Sequence, residues 1–397
     1  MDININQVLE KADSEVVKLG VIPENFLKLT NYYDNVKLLH KMNPFFYDRQ
    51  KLFWFWNKQE HHWEIVDDTE VLTIIDNQLK FGGQLVTSGM KTNYLEAFRQ
   101  VGRVNIPKEM PKHWLQFKDK VYDLRTTAIF EASPEFMCCN PIPWEVGKSK
   151  RTPVMDKLFE EWVGKDNVDT LYEILAYSCL PDYPIHRLFC LVGGGRNGKS
   201  QFQKIVQKFI GNNNVCSTEL DLLLDNRFES AKLFKKLICT LGETNFGVMN
   251  KTSLLKKLTG GDLIGFEFKN KNPFDSENYA KIIINSNSLP TSMDTSDGFY
   301  RRWLIIDFPN DFPEGKDIIE TIPEVEYNNL ARKSAFIIKK LTETGKFTNE
   351  GTIEERRNKY IQASNPLPFF VEEFCCIDSS DYIQYTKLYN AYIKYLL

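Results

Sequence analysis

The chain has 397 residues, too many for one small core, so two or three domains are expected. An apolar fraction of 42% and a charged fraction of 26% exclude a mainly disordered, collagen-like or low-complexity chain. Fifty basic against 53 acidic residues give a formal net charge of -3, which excludes a uniformly basic coat for nucleic acid. There is no apolar run of about 18 residues, the length a membrane-spanning helix needs. The polar, acidic start Met1-Asp-Ile-Asn-Ile-Asn6 lacks the basic and apolar regions of a secretion signal. A cytoplasmic protein is expected. The eight cysteines include no C-x-x-C spacing, and the five histidines (His40, His61, His62, His113, His186) form no ligand pattern, so no zinc site is expected. Cys190 and Cys239 lie in apolar runs and read as small buried hydrophobes.

In chain order, residues 1–150 are rich in aromatics and loop signals. Lys51-Leu-Phe-Trp-Phe-Trp56, a polar turn, and Trp63-Glu-Ile-Val66 read as a β-hairpin. Its Trp and Phe side chains suit core packing better than stacking on bases. Trp114–Phe117 and Val121–Leu124 around Lys118-Asp-Lys120 read as a second hairpin. Three prolines between Pro141 and Pro153, with the cluster Lys148-Ser-Lys-Arg151, mark a boundary. A helical pattern follows over 154–180, with Leu158, Phe159, Trp162, Leu171, Ile174 and Leu175 on its apolar face. Four apolar runs then read as buried strands: Leu188–Val192, Leu237–Leu241, Lys281–Asn285 and Trp303–Phe308. Alternation with helices predicts a parallel sheet covered on both faces. Residues 325–397 read as mainly helical.

The first of these strands runs into Gly193-Gly194-Gly195-Arg196-Asn197-Gly198-Lys199-Ser200, which fits G-x-x-x-x-G-K-[ST]. A helix follows, whose apolar face is Phe202, Ile205, Val206, Phe209 and Ile210, with Gly211 at its stop; Gln201 joins Gly193–Ser200 as a candidate nucleotide-binding residue. Glycines let backbone N–H groups curl around phosphate oxygens, and the helix N-terminus adds partial positive charge there. Lys199 is placed to reach the β- and γ-phosphates of ATP and Ser200 to ligate Mg²⁺. The strand Leu237–Leu241, read as lying beside this loop, ends in Gly242-Glu243. Its carboxylate is a candidate Mg²⁺ ligand or general base, or else a surface acid after a strand. Asn287, just past Ile282-Ile-Ile-Asn285, suits a group that senses phosphate, or a strand-ending turn. Arg301-Arg302 precedes the last strand, suited to local ion pairs or to reaching a neighbouring subunit's ATP.

Taken together these residues resemble the superfamily 3 helicases, a branch of the AAA+ ATPases. The nearest pattern is the phage and plasmid primase-helicase group, which includes the poxvirus-type primase-helicase. Gly193–Ser200, the strand ending in Glu243, Lys256-Lys-Leu-Thr-Gly-Gly-Asp262 and Asn287-Ser-Leu-Pro290 occur in family order. The resemblance implies an α/β fold. A P-loop ATPase domain at 151–320 would follow an α+β linking domain at 1–150. A mainly helical region at 321–397 would lead to a winged helix. It implies that Lys199 and Ser200 bind ATP and Mg²⁺, that Glu243 is the acid of the second motif, and that Asn287 is the sensor. Arg302, or else Arg301, is then the finger acting in trans. The segment after Asp262, with Lys269, Lys271 and Asn272, matches the family's hairpin that grips single-stranded DNA, and Lys256 is a further candidate DNA contact. Relatives often carry two acids where this chain has Gly242-Glu243, which shifts weight for Mg²⁺ to Ser200. No D-x-D pair suited to priming occurs. Priming then lies on a separate protein, or this chain is the helicase part of a longer one, which the end at Leu397 suits.

The resemblance implies an ATP-dependent ring helicase, a hexamer in this family, partnered by a primase. The alternative is an ATP-dependent DNA-binding or assembly module that does not unwind. Charge distribution suits both. Residues 193–302 hold sixteen basic and eleven acidic residues, so the excess lies there while the rest of the chain is acidic.

Overall fold

The computed structural model describes residues 31–81, 87–242, 248–249, 251–269, 271–313, 318–376 and 381–396. The chain divides into two compact units. One comprises residues 1–123, 128–141 and 269–274, the other residues 124–127, 142–268 and 275–397.

In the first unit, β1 (Phe45–Tyr47), β2 (Phe53–Asn57) and β3 (His62–Val66) form an antiparallel meander. The predicted hairpin pairs Trp56 with Trp63. Side chains alternate across the sheet. Phe45, Tyr47, Phe53 and Phe55 join a core with Val36 and Leu39 of helix Tyr32–Met42 and Phe98 and Val101 of helix Ser88–Gly102. On the other face Phe46 stacks on Trp54 at 5.8 Å and meets Trp63 edge-on at 4.9 Å. Trp54 Nε1 donates to Asp48 Oδ2 at 2.7 Å, and Trp63 Nε1 to the Phe136 carbonyl at 3.0 Å. These aromatics are buried core. The second predicted hairpin is present as β4 (Trp114–Phe117) and β5 (Lys120–Asp123), extended by β6 (Ile129–Glu131).

The second unit holds a five-stranded sheet made of β7 (Leu188–Val192), β8 (Val215–Thr218), β9 (Ile238–Leu241), β13 (Lys281–Ser286) and β15 (Trp303–Asp307). Its spatial order is β15-β7-β13-β9-β8, and every pairing is parallel. Between β9 and β15 lie the short strands β10 (Val248–Met249), β11 (Leu263–Phe266), β12 (Phe274–Glu277) and β14 (Thr291–Ser292); β10 pairs with β14 and β11 with β12. All four predicted strands are present, and β8 is an addition. Its residues are half-buried or exposed except Thr218, as an edge strand's are. The order also corrects one expectation. β13, not β9, lies beside β7, and β9 is one strand further out. The result is a mixed α/β unit compatible with a P-loop-type fold.

The predicted helical stretch before β7 is two helices, Pro153–Val163 and Val168–Tyr177. Phe159 packs on Phe202 of helix Lys199–Ile210, with ring centroids 5.5 Å apart. Cys190 and Cys239 are fully buried and free. The long helix Glu324–Thr344 runs along Val168–Tyr177, and its Glu326 carboxylate accepts from Val154 N (2.9 Å) and Met155 N (3.0 Å) at another helix start. At the opening of β13 the ammonium of Lys281 is wholly buried. It donates to the carbonyls of Leu180, Asp182 (2.8 Å) and Tyr279 (3.0 Å), between the rings of Tyr177 and Tyr183. Burial drives its pKa down to about 7. Among the described residues no helix is long and apolar enough to cross a membrane.

Candidate active site

Parallel strands put all their C-terminal ends on one edge, and the glycine loop sits there, between the end of β7 and helix Lys199–Ile210. Two glycines are required for space. A Cβ on Gly193 would fall 2.6 Å from the Phe308 carbonyl, and one on Gly198 would fall 2.7 Å from the Trp162 ring, at a φ of +94°. Gly194 and Gly195 face open space instead. The loop is pinned from the segment that follows β15. Asn197 Nδ2 donates to the Phe308 carbonyl at 3.2 Å, Phe312 N donates to the Arg196 carbonyl at 2.9 Å, and the Arg196 side chain meets Asp311 at 3.3 Å.

Lys199 opens the helix and is buried. Its ammonium donates to the Gly193 carbonyl (2.5 Å), Asn197 Oδ1 (3.0 Å) and Asn287 Oδ1 (3.5 Å). The structure therefore unites the loop lysine with the Asn picked out 88 residues later. No side chain caps this helix, and no acid lies in its first turn, so its orphan N–H groups and positive dipole end suit an anion. Ser200 is exposed there. Gln201 is half-buried, and its Oε1 has no protein partner. Two residues before Asn287, Asn285 donates to Gln203 Oε1 on the same helix. Glu243, Thr244 and Asn245 lie outside the described residues. Among the described residues no cluster of three His, Cys, Asp or Glu could hold a metal ion. Open glycines, an uncapped helix start and a buried lysine come together here, a set that would suit a phosphate. Ser200 is the residue seen that would hold Mg²⁺ beside it.

The two arginines lie at the opposite edge. β15 runs in register with β7, Trp303 beside Leu188 and Asp307 beside Val192, so Arg301 and Arg302 stand about 17 Å away, the length of five strand residues. That is farther than one arginine side chain extends. The pair splits by direction. Arg302 is buried, donating from Nε to Thr259 Oγ1 (3.0 Å), from Nη2 to the Lys256 carbonyl (3.1 Å) and from Nη1 to the Gly298 carbonyl. It closes the C-terminal end of helix Thr252–Leu258 and receives the Thr259-Gly260-Gly261-Asp262 turn. Arg302 is the arginine that the resemblance favours as the finger, and here its guanidinium donates three hydrogen bonds within the chain. Arg301 is exposed. His186 is held below its usual pKa by burial first, and then by the field of Arg302, Arg301 and Arg187, against which Asp262 acts.

The expected DNA contacts are dispersed. Lys256 pairs with Asp294 at 2.8 Å. Burial opposes ionisation of Asp294, yet hydrogen bonds from Lys256, Ser296 and Thr252 outweigh it and hold the carboxyl well below the usual range. Lys269 and Asn272 are exposed. Lys271 belongs to the first unit, 3.5 Å from the Asp68 carboxylate and donating to the Lys51 carbonyl at 3.3 Å. Sequence reasoning missed Asp294, Trp162 and Tyr360, whose hydroxyl donates to the Pro290 carbonyl at 2.6 Å. None carries a motif; each is recognised only by what it touches.

A model of a family of unknown function (DUF5906) matches residues 191–302, from the last residues of β7 to Arg302. No curated protein matches the chain in sequence. Solved structures match in fold. The apo structure of the NrS-1 C-terminal region (305–718) is 16% identical with a TM-score of 0.55, covering 87% of this chain and 82% of that one. An A-form apo structure of the same region is also 16% identical, with a TM-score of 0.51, covering 86% and 73%.

Proposed function

We propose that this chain is an ATP-driven ring helicase that moves on single-stranded DNA in replication of a phage, plasmid or other mobile element. The observation that carries it is the junction of Lys199 with Gly193, Asn197 and Asn287 at an uncapped helix start. An arriving γ-phosphate would take the place of those acceptors on the ammonium, and Asn287 would report its presence through the same contact. Ser200 and Glu243 would hold Mg²⁺, which neutralises phosphate charge. Arg301 would meet the ATP of a neighbouring copy, since it stands at the far edge of its own sheet; six copies are what the family resemblance implies. Lys269 and Asn272 would face DNA, with Lys256 and Lys271 joining only after release from Asp294 and Asp68. Fold likeness to the NrS-1 C-terminal region agrees with the α/β core this reading needs, and a primase would be the chain's partner.

Lys199→Ala is expected to cut ATP turnover about 100-fold or more and to abolish strand displacement, because phosphoryl transfer depends on positioned positive charge. ATP-dependent unwinding that persists in this variant would refute the assignment. The existing ion pairs of Lys256 and Lys271 favour a second reading, an assembly module that holds DNA without unwinding it. ATPase activity unaffected by single-stranded DNA would support that reading.

A further inference from the structure

The loop that carries Asn287 is held from a helix that the sequence reading left without chemistry. Leu289 N donates to the Ala363 carbonyl at 3.0 Å, and Tyr360 Oη donates to the Pro290 carbonyl at 2.6 Å. Both acceptor and donor belong to helix Ile353–Ser364. Within the loop, Ser288 N donates to Ser286 Oγ at 3.3 Å, and that hydroxyl donates to the Ser288 carbonyl at 2.5 Å. Residues 286–290 are thus fixed at both ends, and of the two exposed residues in this frame, Asn287 and Ser288, it is Asn287 that meets Lys199.

Tyr360 is suited to hold a geometry. Its ring is 2% exposed and is gripped by Trp303 (4.6 Å), Phe299 (5.1 Å) and Tyr300 (5.7 Å). A side chain with so few free rotamers loses little entropy when its hydroxyl makes one directed bond. Burial also pushes its phenol pKa up, so the hydroxyl stays a donor over the working pH range.

We infer that Tyr360 is a positioning residue for nucleotide hydrolysis, fixing the Ser286–Pro290 loop so that Asn287 meets the phosphate held by Lys199. The inference rests on the ATPase reading. It predicts that the hydroxyl of Tyr360 matters only through Asn287. A misplacement of about 1 Å at a reacting centre costs up to about 100-fold in rate, so loss of one anchor of two should cost less than that.

The test is steady-state ATP turnover by the full chain in four forms: wild type, Tyr360→Phe, Asn287→Ala and the double variant. Tyr360→Phe keeps the ring and removes only the hydroxyl. We expect kcat to fall about tenfold, with KM for ATP and the thermal midpoint nearly unchanged, and no further fall when the change is added to Asn287→Ala, as coupled residues require. Two results overturn the inference while leaving the ATPase reading intact: wild-type kcat in Tyr360→Phe, or a tenfold loss that repeats in full in the Asn287→Ala background. Asn287→Ala with wild-type turnover overturns the inference as well, while a wild type that does not hydrolyse ATP removes the ATPase reading itself and the inference with it.

Discussion

At the C-terminal edge of the parallel sheet, the buried Lys199 shares its ammonium among three acceptors beside two glycines that face open space. At the N-terminal edge, Arg302 and Lys281 are just as buried, but each is surrounded by acceptors the fold supplies, chiefly main-chain carbonyls. Burial of a cation therefore does not by itself mark a site. What separates the edges is the setting: Lys199 stands in a glycine loop at an uncapped helix start, while Arg302 and Lys281 are bonded chiefly to main-chain carbonyls. Of the two adjacent arginines at the second edge, Arg301 is the exposed one.

The sharpest way to break that comparison is to remove Arg301. Arg301→Ala is expected to lower ATP turnover about 1,000-fold, as loss of a finger does, with nucleotide binding retained. Mixing it with Lys199→Ala should restore part of the turnover, because each chain then supplies what the other lacks. Failure to complement would place Arg301 outside the reaction. Next in size is Arg302→Met, which leaves Thr259 Oγ1 and two carbonyls without their charged donor. It should destabilise the second unit by about 3 kcal/mol, read by chemical denaturation. Unchanged stability with lost turnover would instead make Arg302 the outward residue.

The smallest effect concerns Lys281. Its folded pKa, about 7, lies below that of an exposed lysine, so between the two values the unfolded chain binds more protons. Stability should therefore rise with pH, by about 2 kcal/mol from pH 7 to pH 9. In Lys281→Met that rise should vanish; its persistence would assign the pH dependence to other groups.

Which parts of this could be read from sequence follows from the range of the interactions. The glycine loop was legible because strand, loop and helix are contiguous, and each leaves a local pattern. Strand order was not, since β13 enters beside β7 although β9 comes earlier in the chain. β8 was missed because an edge strand covered on one face has no continuous apolar run to reveal it. Arg301 and Arg302 were found as a pair, but adjacent residues point in opposite directions, and only the packed turn of Thr259–Asp262 shows which turns inward. Asn287 was legible as a polar residue past a strand. Its anchor Tyr360 lies some seventy residues on and has the look of any core aromatic.

The Trp162 ring beneath Gly198 sets the smallest piece of this chain that can carry the loop. Trp162 comes from helix Pro153–Val163, outside the segment that matches the family model. The acceptors of Lys281, at Leu180 and Asp182, lie outside it as well. A fragment trimmed to residues 191–302 would keep every motif and lose the floor on which the motif rests. A working truncation has to begin before Pro153, at the point where the floor is laid.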